Sequence, residues 1–332
     1  MALSSSERLR RFYDLFSCEN QVLVLINADP DAIASAMAVK RLLWRKVAGV
    51  SIAHVNIVKR PDNLTMIRLL GVVLIPVDGI EKNRYDKVVM VDSQPNHHEA
   101  FGGFNPVAII DHHPDSGIKA AFTDIRPKYG ATASIMTEYL RAANIKPSVK
   151  LASGLLYAIK TDTNNFERKT LIEDVRAFQF LYRLANIHLI RKIEQAEMSP
   201  AFLKYFRKAL ETRRVLKGRV FAHLGMVINP DVCVLIADFF MRVKSYNWSI
   251  VSGISQGKLV IIFRNDGIRK DAGKVAKDGF GALGSAGGHK SMARAEIAVS
   301  DLKDIVDCQD DKKLLGWIIK QVKHRPGKKN GI

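Results

Sequence analysis

Cysteine is scarce in this chain: Cys18, Cys233 and Cys308 are the only three in 332 residues, and no C-x-x-C pair occurs. That excludes a disulfide framework and a cysteine zinc ribbon, and it fits a reducing compartment. Long apolar runs are missing as well. The longest, such as residues 232–241, fall short of the ~18–20 residues of a membrane helix, and this one contains Asp238. Residues 1–10 are polar and lack the apolar stretch of a signal peptide. No internal repeat is evident. The expectation is a soluble, cytoplasmic protein with no membrane partner.

Acid is the minority charge, with 33 Asp and Glu against 51 Lys and Arg and a net charge of +18. Such an excess attracts phosphate-rich partners or acidic surfaces. Residues 312–332 carry seven Lys and Arg and no acid, and residues 186–217 carry eight against three. These two segments hold +12 of the total. The first reads as a basic, solvated C-terminal tail and the second as a basic helical linker. Apolar residues at 47% and charged residues at 25% are ordinary for a globular chain with a proper core. At about 100–200 residues per domain, the length suggests two domains.

The first half alternates strand-like with helix-like stretches. Apolar runs at 22–26, 52–58, 72–77, 87–91 and 107–110 read as strands, and 31–47 reads as a helix without Gly or Pro. That alternation predicts an open, mostly parallel α/β sheet with helices on both faces. Helical patterning dominates from 131 to about 217, broken at Pro147 and Pro200. Beyond Gly218, short β-like runs at 219–224, 233–236, 249–254 and 259–263 mix with helices at 238–244 and 271–277, ahead of a glycine-rich run at 279–288. This predicts a smaller α/β C-terminal domain joined by a helical linker. The expected boundaries are 1–190, a linker 191–217, a second domain 218–311 and the tail 312–332.

Acidic residues recur at the ends of the apolar runs. Asp29 and Asp31 follow 22–26, Asp92 follows 88–91, Asp111-His112-His113 follow 107–110, and Asp162 follows another apolar stretch. In a parallel sheet the first three groups emerge along one edge, where ligands bind. Alone, Asp29 or Asp31 reads as a helix N-cap, and the pair His97-His98 reads as a surface accident. Together, the carboxylates repel one another and need a cation. Oxygen with imidazole donors suits Mn²⁺, Mg²⁺, Fe²⁺ or Zn²⁺, and a carboxylate-rich set favours the harder ions.

The ordered motifs Asp29-x-Asp31-x-x-x-Ser35, Asp92, Asp111-His112-His113 and Asp162 resemble the DHH phosphoesterase family. Downstream, Arg264, Lys274-Val275-Ala276 and Gly284-Ser285-Ala286-Gly287-Gly288-His289-Lys290 resemble the DHH-associated C-terminal domain with its GGGH loop. The resemblance covers roughly residues 20–298. It is nearest to the nanoRNase and 3′-phosphoadenosine-5′-phosphate phosphatase branch, with RecJ-type exonucleases more distant.

What the resemblance implies is a two-metal phosphoesterase acting on short oligonucleotides or nucleotide phosphates. Two divalent ions, Mn²⁺ or alternatively Mg²⁺, would be held by Asp29, Asp31, Asp92, His112 and Asp162, with Asp92 bridging. His113 would hold a phosphate oxygen or support the leaving group, and Asp111 would orient the loop. Arg264, Gly287, Gly288 and His289 would bind substrate phosphate. The alternatives are a cyclic-dinucleotide phosphodiesterase or a nucleotide-binding regulatory module with weakened activity, and a homodimer is one arrangement the sequence allows. Two positions depart from the pattern. Leu25 stands where many relatives have a His, leaving the first metal site to be completed by water or substrate. Ala286 replaces the leading glycine of the loop, which is harmless unless that backbone needs φ > 0.

Overall fold

Strand β1 (Gln21–Ile26) is buried on both faces, with Val22, Val24 and Ile26 in one core cluster and Leu23 and Leu25 in another. A strand of this kind belongs inside a covered parallel sheet. In the computed structural model, which describes residues 3–167, 170–195, 200–268 and 270–323, β1 is central to a six-stranded sheet. The chain divides into two compact units, Met1–Glu197 and Met198–Ile332.

The first unit runs α1 (Ser5–Tyr13), β1, α2 (Pro30–Leu42), β2 (Gly49–His54), α3 (Pro61–Leu70), β3 (Ile75–Pro76), β4 (Lys87–Val91), β5 (Ala108–Asp111) and β6 (Phe122–Ile125). Helices α4 (Thr132–Ala142), α5 (Val149–Asp162), α6 (Ile172–Tyr182) and α7 (Ile187–Glu194) follow. The strand order is β3-β2-β1-β4-β5-β6, and every pairing is parallel. Connections leave β1 and β4 in opposite directions, so a crevice opens beyond their carboxyl ends. Helix α2 has Pro30 in its first turn, which suits proline's fixed φ, and it packs on α4 and α5 as the middle of the larger core. Short helical turns, including Glu99–Phe101, cover the opposite face over Leu23, Leu25, Met90 and Ile109.

The second unit runs α8 (Leu203–Thr212), β7 (Arg214–Leu216), β8 (Arg219–Met226), α9 (Asp231–Phe240), β9 (Trp248–Ser255), β10 (Lys258–Asn265), α10 (Ala272–Phe280), β11 (Ser285–Gly288), β12 (Met292–Ala298) and α11 (Asp311–Lys323). Its sheet order is β11-β12-β10-β9-β8-β7, with β8 and β9 parallel and the other pairs antiparallel. One face carries α8 and α9, the other α10 and α11. Among the described residues no helix is long and apolar enough to cross a membrane.

Several expectations need correction. Residues 233–236 are helical, inside α9, because Val232, Cys233, Ile236, Ala237 and Phe240 recur at helical spacing over the sheet. The helix expected at 238–244 is the end of that same α9. Strand 72–77 shrinks to a two-residue β3 that includes Pro76, and strand 52–58 begins and ends earlier, as β2. Strand β6 was missed. The segment 312–332 is not wholly a solvated tail: its described part is α11, which buries Leu314, Leu315, Ile318, Ile319 and Val322 against the sheet. Residues 324–332, and 196–199 of the expected linker, lie outside the described residues.

Helix α11 is tied to the sheet by a polar cluster around the buried His223. His223 on β8 shares its Nδ1 with Ser252 Oγ on β9 at 2.9 Å, and its Nε2 lies 3.4 Å from Asp311 on α11. Lys208 on α8 donates to the same Asp311 at 2.7 Å. Burial pushes the His223 imidazole from about 6.5 down to about 4, with Asp311 opposing and Lys208 adding to the shift. The unfolded chain therefore gains a proton near pH 6.5 that the folded chain refuses until near pH 4. The stability from His223 is complete above pH 6.5 and is lost as pH falls toward 4. Urea melts of the parent should lose midpoint more steeply over that window than melts of His223→Gln. Equal slopes would reject the linkage.

Candidate metal centre

Each acidic side chain is placed by a strand or helix end. Asp29 is the N-cap of α2, its Oδ1 accepting the Ala32 N–H at 2.9 Å. Asp31, in the first turn of α2, is fully buried and reaches α4, which has no side-chain cap of its own. The Thr132 and Ala133 N–H groups donate to its two carboxylate oxygens at 2.7 Å each. A helix N-terminus is a natural seat for a carboxylate.

Asp92 sits immediately beyond β4 with φ +58°, in the left-handed region that Asp tolerates better than most residues. Its N–H still donates to the Ile110 carbonyl at 3.0 Å, and its Oδ1 accepts Thr132 Oγ1 at 2.8 Å. Asp162 is the last residue of α5, a helix C-terminus rather than a strand end.

His112 gathers these groups. Its Nδ1 faces the Tyr129 carbonyl at 3.2 Å, which fixes the ring. Its Nε2 lies 3.1 Å from Asp162 Oδ2, 3.5 Å from Asp92 Oδ1 and 3.9 Å from Asp31 Oδ2. Asp162 is the nearest of the three and its main charge partner.

The electrostatics follow from burial. Asp31 is pushed up to about 7 by desolvation and by Asp162, and Asp29 to about 6 by the same two causes. Asp92 rises well above the carboxylate range through desolvation and the charges of Asp31, Asp29 and Asp162. Burial lowers His112, but the surrounding carboxylates outweigh it and hold the imidazole at about 9. Its proton is the local counter-charge.

A second layer surrounds Asp111, which burial alone would raise. Bonds from His113 and Gln94 outweigh this and hold it below its ordinary value. Gln94 Nε2 donates to Asp111 at 2.7 Å and to the Pro114 carbonyl at 3.0 Å, while its Oε1 accepts the Ser116 N–H at 2.8 Å. His113 Nδ1 bonds Asp111 Oδ1 at 2.8 Å, which leaves Nε2 turned away from it. On the other side, the Asn56 amide accepts the Ala28 N–H at 2.6 Å and donates to its carbonyl at 2.9 Å, pinning the loop that carries Asp29.

Ligand atoms of Asp31, His112 and Asp162 lie within 4.8 Å of one another, as do those of Asp92, His112 and His113. Asp29 is in none of these groupings, though the charges of Asp162 and His113 both act on it. A third grouping joins the exposed His97 to Asp111 and His113, and the His97 ring stands edge-on to His113, centroids 5.4 Å apart. Sequence reading also missed Gln94, Thr132 and Asn56. The available signal for Gln94 was its position two residues after Asp92, and for Thr132 its place opening an apolar helix. Leu25 lies in the apolar cluster with Ala53, Met90 and Phe101.

Arg264, Gly287, Gly288 and His289 belong to the second unit. Arg264 Nε is paired with Asp238 at 2.7 Å and one Nη donates to the Phe263 carbonyl at 3.2 Å, so a bidentate phosphate grip would have to break that pair. Gly287 and Gly288 lie in β11, and a Cβ on Gly288 would meet the Met292 carbonyl at 2.4 Å. Ala286 is absent from the positive-φ residues, so alanine fits there.

The carboxylate-rich crevice lies in the part of the chain that resembles a known family. Residues 21–159 match the DHH family, N-terminal domain. The chain is 34% identical over 295 residues to an uncharacterized protein of Methanocaldococcus jannaschii, covering 89% of this chain and 61% of the relative. It is 29% identical over 174 residues to a probable manganese-dependent inorganic pyrophosphatase of Deinococcus radiodurans, covering 49% and 53%. The chain thus spans little more than half the length of these curated relatives. An exopolyphosphatase-related protein from Bacteroides fragilis shares the fold, with TM-score 0.72 and 15% identity over 95% of both chains.

A buried carboxylate without a counter-ion destabilises a fold. Asp92→Asn keeps the left-handed backbone tolerable and removes a carboxyl whose ionisation burial and its acidic neighbours oppose. It should raise the melting temperature in chelator while weakening Mn²⁺ binding at least tenfold in a calorimetric titration. A lower melting temperature together with unchanged Mn²⁺ affinity would reject the assignment of Asp92.

Proposed function

We propose that the protein is a metal-dependent phosphoesterase of the nanoRNase-like type, hydrolysing short oligonucleotides or nucleotide phosphates. The observation that carries this reading is the convergence of three carboxylates, those of Asp31, Asp92 and Asp162, on the buried Nε2 of His112 at 3.1–3.9 Å. An imidazole nitrogen with three carboxylates is a donor set for a hard or borderline divalent ion. The Deinococcus relative, named as manganese-dependent, supports Mn²⁺, with Mg²⁺ as the alternative.

Asp31, Asp92, His112 and Asp162 would hold two ions, with Asp29 completing the flank. When bound, such ions would supply an activated water and neutralise the leaving oxygen of an in-line displacement.

The chain's own groups do the positioning. Thr132 fixes the Asp92 carboxylate, and Tyr129 fixes the plane of the His112 ring. The Asp111 carboxylate bonds His113 Nδ1 and raises the pKa of this half-exposed imidazole, and we assign its Nε2 to a phosphoryl oxygen or to the leaving group. In the second unit, read as the DHH-associated domain, we assign phosphate contacts to Arg264 through its remaining Nη, to Gly287 and Gly288, and to His289. A Cβ built on Gly287 meets nothing within 4 Å, so this backbone is open to a phosphate.

The test is a substrate panel after chelation, with and without added Mn²⁺: a diribonucleotide, a pentaribonucleotide, a nucleoside 3′,5′-bisphosphate, a cyclic dinucleotide and inorganic pyrophosphate. Mn²⁺-dependent hydrolysis of the diribonucleotide or the bisphosphate is expected, falling at least 100-fold in Asp92→Asn. Turnover confined to pyrophosphate, or turnover that survives chelation, would overturn the reading.

A further inference from the structure

The basic segments 186–217 and 312–332 find no use in the metal centre, yet described residues of both meet in the second unit. Val215, Leu216 and Lys217 from the first segment and Gln321, Val322 and Lys323 from the second line one cleft of about 630 Å³. Arg219 and Lys270 join them, so four cations line the cleft against a single acid, Asp278. Its volume is within the ~300–1,000 Å³ typical of ligand sites.

The cations are placed by the fold. Lys217 occupies the left-handed corner (φ +50°) of the β7–β8 turn, followed by Gly218 at φ +75°. Arg219 lies over the Trp248 ring, 5.7 Å from its centroid, and Lys323 ends α11. Lys217, Arg219 and Lys323 form no ion pair with any described residue. Phe221, fully buried, forms part of the lining and belongs to the core beneath α10 and α11. Arg264 pairs instead with Asp238 of α9, on the opposite face of the sheet, so this cleft does not include the Arg264 contact assigned above.

We propose that this cleft binds the phosphate chain of a single-stranded oligonucleotide. Unpaired lysines and an arginine around an apolar floor match a chain of phosphates. Trp248 and Phe221 are too buried to serve as stacking platforms, so recognition is through the backbone and tolerant of sequence. A duplex presents a larger face, roughly 1,000 Å² or more for a typical specific site. The preference for an oligonucleotide over another polyanion rests on the proposed phosphoesterase reading.

The experiment is fluorescence anisotropy of a fluorescein-labelled 12-nucleotide single-stranded RNA with the full chain in chelator, where binding is read without hydrolysis. Three or four phosphate contacts at about 0.7 each give a log–log salt slope of roughly −2 to −3. Lys217→Asn/Lys323→Glu should weaken binding at least tenfold and flatten the slope by about 1.4, the value for two lost contacts. Asparagine suits the left-handed position of Lys217. Lys146→Asn/Lys150→Glu, an equal charge change on the first unit, should shift affinity less than threefold. The single variant Lys217→Asn, with about half the slope change, decides the matter if the double variant fails to fold. Equal losses in both pairs, no binding by the parent, or tighter capture by phosphatidylserine vesicles than by RNA would overturn the cleft. RNA held through the cleft by a protein that turns over no phosphoester would leave this proposal standing and remove the catalytic one.

Discussion

Mutual repulsion among buried carboxylates is the constraint around which the first unit is organised. Asp31, Asp92 and Asp162 all point at one imidazole nitrogen, with Asp29 close enough to feel Asp162. Two of the four sit where the backbone resists them. Asp92 occupies a left-handed conformation, and Asp162 adds negative charge to a helix C-terminus, the end where the dipole disfavours it. A fold optimised for stability alone would not collect such features in one crevice. A site completed by bound cations explains them together, since each cost is offset when positive charge arrives.

The surrounding polar groups hold these side chains in one arrangement. Tyr129, whose carbonyl fixes His112, is held through its hydroxyl by Glu138 at 2.7 Å. Glu138 also accepts Arg126 at 2.7 Å, and Arg126 bonds Asp124 beneath α1. Asp111 has a similar chain of support through Gln94 and Ser116. The orientation of each imidazole is therefore decided by groups that never touch the candidate ion, a common feature of metal centres.

The two units solve opposite electrostatic problems. The first concentrates acid in a desolvated crevice, where one protonated histidine is the local compensation. The second spreads base over exposed positions at strand and helix ends, where water screens it cheaply. A strong excess of positive charge in the whole chain thus coexists with a carboxylate cluster, because burial amplifies the acids and exposure moderates the bases.

Much of the first unit was legible in the residues alone. Alternating apolar runs specified β1 and β4 closely, because strands buried on both faces leave an unbroken apolar signature, and the spaced Asp and His motifs marked the crevice those strands create. Tertiary structure decided the rest. Helix α9 looked like a strand in part, since a short apolar run is ambiguous until the sheet beneath it is known. Helix α11 was hidden by its lysines, although its apolar face seals a core. The joining of Asp31 to the N-terminus of α4, the seating of His97 beside His113, and the meeting of two basic segments at one cleft all link residues distant in the chain. No local pattern encodes such contacts, because they depend on which faces pack together once the chain has folded.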